Sequence, residues 1–358
     1  MSELKKLGDL IDLIDERNKN GIIKTLIGVS IDKCFIKSVA NTIGTDLSKY
    51  QIIRKFDFAC SLMQVSRDGK IPIACLKDYD EAIMSPAYYI FRIKNTDEIL
   101  PDYLAMWFMR SEFDREASYI AVGGVRGSMP WEDFCDMKLP VPPLEEQQKI
   151  VDAYNAIENR IKIKQKINEK LEATAQAIYR KMFIEDADEN WKTEKLEELI
   201  EIKYGKDHKD LPNGIVPVYG SGGIMRYVDK ALYDKESVLI PRKGSLNNII
   251  YIDTPFWSVD TMFYTIMKKK NIAKYFYEFI KTKDFLNLDT GSAVPSMTTE
   301  YLNNMDILYP CEQKLEEFDN EVQKLYERIK NNEKEIEKLA QLKQLIVSQI
   351  AKQRKDNF

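Results

Sequence analysis

Ser128-Met129-Pro130-Trp131-Glu132-Asp133-Phe134 returns as Ser296-Met297-Thr298-Thr299-Glu300-Tyr301-Leu302, with residue 296 standing 168 positions beyond residue 128. The offset then holds without a gap as far as Ile346. Met137 falls on Met305, Pro142 on Pro310, Arg160-Ile161-Lys162 on Arg328-Ile329-Lys330, Lys170-Leu171 on Lys338-Leu339, and Ile178 on Ile346. A weaker repeat opens each half: Lys6-Leu7 and Leu10-Ile11 recur as Lys195-Leu196 and Leu199-Ile200, residue 195 standing 189 beyond residue 6. The halves therefore share both ends, and the middle of the second is 21 residues shorter, the difference between the two offsets. Solenoid repeats run about 20–50 residues, so self-similarity on this scale means two copies of one module. A chain built twice on one plan suits a target with two related parts.

Each copy ends in a long amphipathic segment. The first follows LPVPPLEEQQ (139–148), whose prolines hold the lead-in extended and cannot continue a helix backwards. From there Ile150, Tyr154, Ile157, Ile161, Leu171, Ala175, Ile178 and Met182 recur with heptad spacing, interrupted at the seam by Lys164 and Asn168. The second follows Tyr309-Pro310 and runs Phe318, Val322, Leu325, Ile329, Ile336, Leu339, Ile346 and Ile350, interrupted by Asn332 and Lys343. Alternating steps of three and four predict a coiled coil. Helices of about 36 residues would each be roughly 54 Å long, too long to bury their stripes against one small domain. An antiparallel pairing of the two is expected, with Asn168 and Asn332 setting its register.

The remaining segments, 1–144 and 191–311, carry short runs rich in Tyr, Phe, Ile and Val, punctuated by Gly and Pro. Examples are Ile71-Pro72-Ile73, Tyr88-Tyr89-Ile90-Phe91, Ile249-Ile250-Tyr251-Ile252 and Met262-Phe263-Tyr264. They predict irregular, strand-rich α+β domains. A helix is expected in each before the repeated Ser-Met motif, near Pro101–Glu116 and Ile272–Phe285, and acidic Glu185 to Glu189 links the copies.

Composition narrows the function. The 358 residues are 44% hydrophobic and 31% charged, as in a soluble globular protein with some highly charged helix. No run approaches the ~20 apolar residues of a membrane span, and MSELKKLGDL at 1–10 lacks the apolar core of a signal peptide. The cytoplasm is the expected location. The net charge of −4 argues against a uniform polyanion binder. Residues 1–144 hold 19 basic against 21 acidic side chains and residues 191–311 hold 16 of each, so any nucleic-acid surface must be a local patch. Cys34, Cys60, Cys75, Cys135 and Cys311 are scattered without a Cys-x-x-Cys pair, and His208 is the lone histidine. Free thiols are expected, and no metal site. No phosphate loop, dinucleotide fingerprint or Asn-Pro-Pro-aromatic motif of an adenine methyltransferase occurs.

The repeated junctions, GSMPWEDFCDMKLPVPPLEEQQKI at 127–150 and GSAVPSMTTEYLNNMDILYPCEQ at 291–313, resemble the DNA-sequence specificity subunits of type I restriction–modification systems. VYGSGGI (218–224), LIPRKGS (239–245) and SVDTMFYTI (258–266) look like a target-recognition domain of that family, and SRDGKIP (66–72) with MSPAYYIFRI (84–93) look like its counterpart. The resemblance covers nearly the whole chain. It departs at Cys311, which stands where the first junction has Pro143. It implies an α+β fold of two target-recognition domains in pseudo-twofold tandem repeat, separated by two long helices forming an antiparallel coiled coil. The boundaries become 1–144 for the first recognition domain, 145–184 for the central helix, 185–311 for the linker and second recognition domain, and 312–358 for the C-terminal helix. It further implies double-stranded DNA with a split target, helices acting as a spacer, two methylation subunits, and nuclease–translocase restriction subunits. No cofactor is expected on this chain; S-adenosylmethionine, ATP and magnesium are implied only for those partners, and no membrane is involved.

Candidate DNA contacts follow from residue chemistry. Arg242-Lys243-Gly244-Ser245 supplies two cations on a small-residue turn where backbone can approach phosphate. Tyr219, Ser221 and Gly222 belong to a loop with hydroxyls and exposed amides. Arg67 and Lys70 form the equivalent turn of the first copy, Tyr88 could line a groove there, and Arg126 lies in the Gly-rich stretch before Ser128. Arginine is the usual bidentate reader of guanine. The solvated-turn reading of these charges stands beside the functional one, and Lys268-Lys269-Lys270 reads as a solvated element end. Two other functions remain to be weighed. A fused methylase or nuclease would need a motif that is missing. A coiled-coil adaptor binding only protein would have little use for two divergent loop-rich heads.

Overall fold

The computed structural model describes residues 3–38, 45–63, 65–123, 127–285 and 297–352. The chain divides into two compact units, Met1–Ile163 with Glu335–Phe358, and Lys164–Lys334.

The first unit opens with β1 (Glu3–Lys6), a single turn α1 (Leu7–Leu10) and β2 (Ile11–Ile14), followed by β3 (Ile27–Val29), β4 (Phe35–Lys37), β5 (Gln51–Arg54) and β6 (Phe58–Cys60). The turn α2 (Val65–Asp68) leads to β7 (Ile73–Cys75), β8 (Glu81–Met84) and β9 (Tyr89–Ile93). Then come α3 (Pro101–Phe108), α4 (Ser111–Ile120), α5 (Trp131–Asp136), β10 (Lys138–Val141) and α6 (Leu144–Arg180). The single helix expected near Pro101–Glu116 is thus two. α3 starts on Pro101, whose fixed φ suits a first turn, and its C-cap Met109 leads into an extended Arg110 that caps α4. The break lets both helices turn an apolar face to one core.

β2, β9, β6 and β7 form a four-stranded antiparallel sheet in that order. β1 closes on β10, Glu3 opposite Val141. Behind the sheet, Phe58 stacks on Phe91 at 5.3 Å, Trp107 meets Phe113 at 4.9 Å, and Tyr89 stacks on Trp131 at 5.1 Å. Val151, Val347 and Ile350 of the long helices join the same core.

The second unit contains β11 (Lys192–Lys195), α7 (Leu196–Leu199), β12 (Ile200–Tyr204), β13 (Asn213–Gly220), β14 (Gly223–Val228), β15 (Ser237–Pro241) and β16 (Ile250–Ile252). After these come β17 (Trp257–Ser258), β18 (Met262–Met267), α8 (Ala273–Lys281), α9 (Thr299–Asn303), β19 (Asp306–Tyr309) and α10 (Glu312–Lys352). Its sheet order, β12-β18-β15-β16, repeats the first strand for strand, and β11 closes on β19 as β1 does on β10. The shared ends agree almost residue for residue: β11 and α7 begin 189 positions after β1 and α1, and α9, β19 and α10 begin 168 after α5, β10 and α6. The repeat in the sequence is therefore a repeat of architecture.

Within the first unit the start of α6 lies beside the end of α10, where Lys343 Nζ is 2.7 Å from Glu158 Oε2 and Arg160 pairs with Glu335. Within the second unit the end of α6 lies beside the start of α10, where Tyr179 and Phe183 meet Phe318. The helices are thus antiparallel. At 37 and 41 residues they are about 56 Å and 62 Å long. Ile161, Phe318, Val322 and Ile329 are buried along the seam, while Ile150, Tyr154, Ile157, Leu171, Ile178, Leu325, Leu339 and Ile346 are half-buried. Heptad reading alone missed Gln147, Val151, Tyr179, Phe183, Leu315 and Val347, which are also buried. A 3.6-residue turn drifts against a 3.5-residue seam, so towards each helix end the buried face rotates onto the neighbouring domain. At mid-seam, buried Lys164 donates to Asn332 Oδ1 at 3.1 Å and Asn332 Nδ2 donates to Asn168 Oδ1 at 2.7 Å. A slip of either helix would strand these groups, which is how a polar layer specifies register. Among the described residues, no helix is long and apolar enough to cross a membrane.

Candidate nucleic-acid interface

In the second unit, three stretches distant in sequence converge at one edge of the sheet. β13 pairs in parallel with β17, Val218 opposite Trp257 and Tyr219 opposite Ser258. Val259 N–H then donates to the Tyr219 carbonyl at 3.0 Å, and Arg242 N–H donates to Thr261 O at 2.8 Å. Asn248 Nδ2 reaches Ser221 O at 2.8 Å. Gly244 has φ +86°, a left-handed conformation that favours glycine, and a Cβ there would sit 2.6 Å from Ser221 Oγ. The hairpin tip at Ser221-Gly222 and the turn Lys243-Gly244-Ser245 are therefore neighbours. Gly222, Lys243 and Ser245 are exposed, and Ser221 and Arg242 are half-exposed. Burial pushes the Tyr219 hydroxyl up to about 12. The edge presents hydroxyls, backbone amides and cations, the groups that bind phosphate and base edges.

Residues that sequence reasoning passed over hold this edge together. Gly205 leaves no room for a Cβ against the Val259 carbonyl, and Trp257 Nε1 donates to Lys206 O at 2.9 Å. Tyr204, Gly205 and Lys206 thus lie beside the turn. The only sequence signal was a glycine between an aromatic and a cation.

The first unit places its counterpart at the same point of the sheet. Met129 N–H donates to Leu62 O at 2.9 Å just as Met297 N–H donates to Arg242 O at 3.0 Å. Met129 and Met297 are equivalent in the repeat, so Leu62 occupies the place of Arg242. The turn α2 comes next, ending at Gly69 with φ +66°. Gly127, at φ +72°, packs against Ser66 so closely that a side chain would collide with its hydroxyl. The junction before Ser128 therefore does meet the 66–70 turn. Arg126 lies outside the described residues.

Arg67 is exposed, with Nε 2.8 Å from Asp68 Oδ1, so part of its charge is already answered locally. Lys70 is exposed at a cavity of about 940 Å³ that Lys33, Arg110, Glu112, Asp114 and Lys343 also line. There Lys33 Nζ, on the β3–β4 turn, is 2.8 Å from Asp114, which also accepts from Ile71 N–H at 3.2 Å. Burial lowers the Lys33 pKa, and its Asp114 partner opposes that shift. Tyr88 packs instead with the cluster under the β3–β4 hairpin, its hydroxyl beside Gly28. Gln51 Nε2 donates to the Tyr88 backbone carbonyl at 2.8 Å.

All five cysteines are free thiols. Among the described residues no cluster of three or more His, Cys, Asp or Glu side chains has the arrangement of a metal site.

The family described as Type I restriction modification DNA specificity domain matches the chain twice, over residues 2–173 and 188–345. The type I restriction enzyme MjaVIII specificity subunit of Methanocaldococcus jannaschii is 29% identical over 189 residues, 49% of this chain and 44% of that protein. The match thus spans less than half the length of that relative. The MjaIX specificity subunit of the same organism is 19% identical over 314 residues, 76% of this chain and 69% of that protein. A solved S subunit of a type I restriction–modification system from M. genitalium superposes over 98% of this chain and 96% of its own with TM-score 0.58 at 15% identity, a likeness of fold.

Proposed function

The chain belongs to the type I restriction–modification DNA specificity family, and on that premise we propose that it is the non-catalytic reader of a split DNA target, one half-site for each recognition domain. The observation that carries the reading is the duplicated sheet with unlike loops at the same edge: Leu62 with the α2 turn in one copy, Arg242 with the Lys243-Gly244-Ser245 turn in the other. One scaffold with two different edges fits a target of two different halves. Two methylation subunits, and restriction subunits beside them, supply the chemistry together with S-adenosylmethionine, ATP and magnesium, and the chain itself needs no cofactor. The complex works on DNA in the cytoplasm.

The test uses the full chain reconstituted with its methylation subunits on duplex libraries containing two randomised blocks. Two defined half-sites, with methylation only when both are present, support the proposal. Assembly with partners but no sequence preference would leave a protein-binding adaptor. Lys243→Ala should weaken binding to every sequence and lower the slope of log affinity against log salt by about one, as one lost phosphate contact does. An unchanged slope would show that this turn faces away from the duplex.

A further inference from the structure

Adjacent Arg242 and Lys243 are held in opposite ways. Lys243 is exposed and makes no hydrogen bond or ion pair among the described residues. Arg242 is held by its backbone, by one guanidinium hydrogen bond and by two aromatic rings. Its N–H donates to Thr261 O at 2.8 Å and its carbonyl accepts from Met297 N–H at 3.0 Å. Its Nη1 donates to the Asp260 carbonyl at 3.0 Å. Its guanidinium carbon lies 5.0 Å from the centre of the Tyr204 ring and 5.7 Å from that of Phe263, and those two rings meet edge to face at 5.0 Å.

None of these partners neutralises the charge. Elsewhere Arg17, Arg54, Arg67, Arg92 and Arg115 each lie against a carboxylate. Arg242 has a carbonyl and two aromatic faces, with no carboxylate among the described residues. One of its five N–H groups is committed, and four remain. A phosphate contact asks only for positive charge within reach, which Lys243 provides on a free stem. Base reading asks for a planar fork already at a fixed angle, because two parallel hydrogen bonds tolerate little misorientation.

Resting on the DNA-reading proposal above, we propose that Arg242 reads a guanine in the half-site of the second domain while Lys243 holds the neighbouring backbone. A fork of donors needs two adjacent acceptors, and in the major groove guanine presents them as O6 and N7. Tyr204 and the Asp260 carbonyl are positioning groups that set the fork before DNA arrives. The first domain has Leu62, 2% exposed, at the equivalent place and reads no base there.

The experiment selects targets from doubly randomised duplexes with the full chain and its methylation subunits, comparing wild type with Arg242→Lys, Arg242→Ala and Lys243→Ala. Arg242→Lys keeps the cation and loses the fork. One guanine of one half-site should become degenerate, its discrimination falling about 5- to 150-fold, while the other half-site is unchanged. Lys243→Ala should weaken all sequences alike. Arg242 substitutions that weaken every sequence equally, with both half-sites retained, would overturn the assignment and leave Arg242 as a strut or phosphate contact. If Arg242→Ala fails to fold, Arg242→Lys decides alone, since a lysine can still reach the Asp260 carbonyl. A wild-type complex that selects no half-sites would instead sink the DNA-reading proposal itself.

Discussion

The two recognition domains share one four-stranded sheet and differ in what is attached to it. The first adds the β3–β4 and β5–β8 pairs; the second adds the three-stranded sheet β14-β13-β17. Each domain also holds a lysine of low exposure in an ion pair, but in a different place. Lys33 ties the β3–β4 turn to Asp114 on α4. Lys274 on α8 lies 2.8 Å from Asp319 of α10 and 3.4 Å from Glu236. Even the shared ends show one exchange. Gln147 and Leu315, 168 positions apart, are both fully buried. Gln147 donates to Pro142 O at 2.7 Å and Glu98 O at 2.9 Å, and accepts from Leu100 N–H at 2.9 Å. Leu315 fills the same place by packing among Phe318 and its neighbours. The ends are constrained to one backbone because they pack on the long helices. The free edge has no such constraint, and there the copies have diverged.

The largest expected effect tests the first domain's anchor. Asp114→Ala removes the carboxylate beside Lys33, which keeps only the Phe108 carbonyl, and leaves the Ile71 N–H without its acceptor; losing one partner of a buried ion pair costs about 3–5 kcal/mol. Denaturant unfolding should show an early transition belonging to the first unit, with the second unit melting at its original midpoint; a single shifted transition would contradict independent anchoring. Next is the Gln147/Leu315 exchange. Gln147→Leu should destabilise the first unit by about 1–3 kcal/mol for each backbone group left without a partner. A neutral result would mean that packing alone suffices there, as it does at Leu315.

The smallest effect is confined to the second unit. Glu278 is almost fully buried; Tyr326 O–H donates to its Oε1 at 2.5 Å and its Oε2 has no hydrogen-bond partner. Burial raises its pKa, while Tyr326 and Lys281 oppose the shift and Glu172 adds to it. A raised carboxyl holds its proton in the folded state after the unfolded state has released it. Stability therefore falls as pH rises from the ordinary carboxylate value to the raised one. Glu278→Gln should flatten that part of the Tm-against-pH curve of the second unit, and an unaltered slope would place the titration elsewhere.

Much of this is legible in the sequence alone. Heptads at 150–182 and 318–350 demand paired helices, because apolar residues on one face of a helix must be covered and the spacing of that face is local. Two offsets, 189 and 168, placed both copies of the shared ends, since identical local patterns build identical local structure. The polar seam residues Lys164, Asn168 and Asn332 were visible for the same reason. Periodicity did not show that the seam rotates at its ends, because which domain surface waits there is not a property of the helix.

The candidate interface divides along the same line. Its residue types, cations and small residues in turns, were readable at 219–222 and 242–245. Their meeting was decided by the parallel pairing of β13 with β17 and by Asn248 reaching Ser221. Tyr88, expected to line a groove of the first domain, packs with the cluster under the β3–β4 hairpin. Arg242 and Lys243 read as two cations of one turn, and the packing of Tyr204, Phe263 and the Asp260 carbonyl separates a held fork from a free charge. The sequence by itself determined the repeat, the helices and the chemistry available at each turn, because those depend on neighbours three, four or a few residues away. The tertiary structure alone decided which turns share an edge and which side chain is held still, because those contacts join residues some 20 to 60 positions apart with no local pattern to announce them.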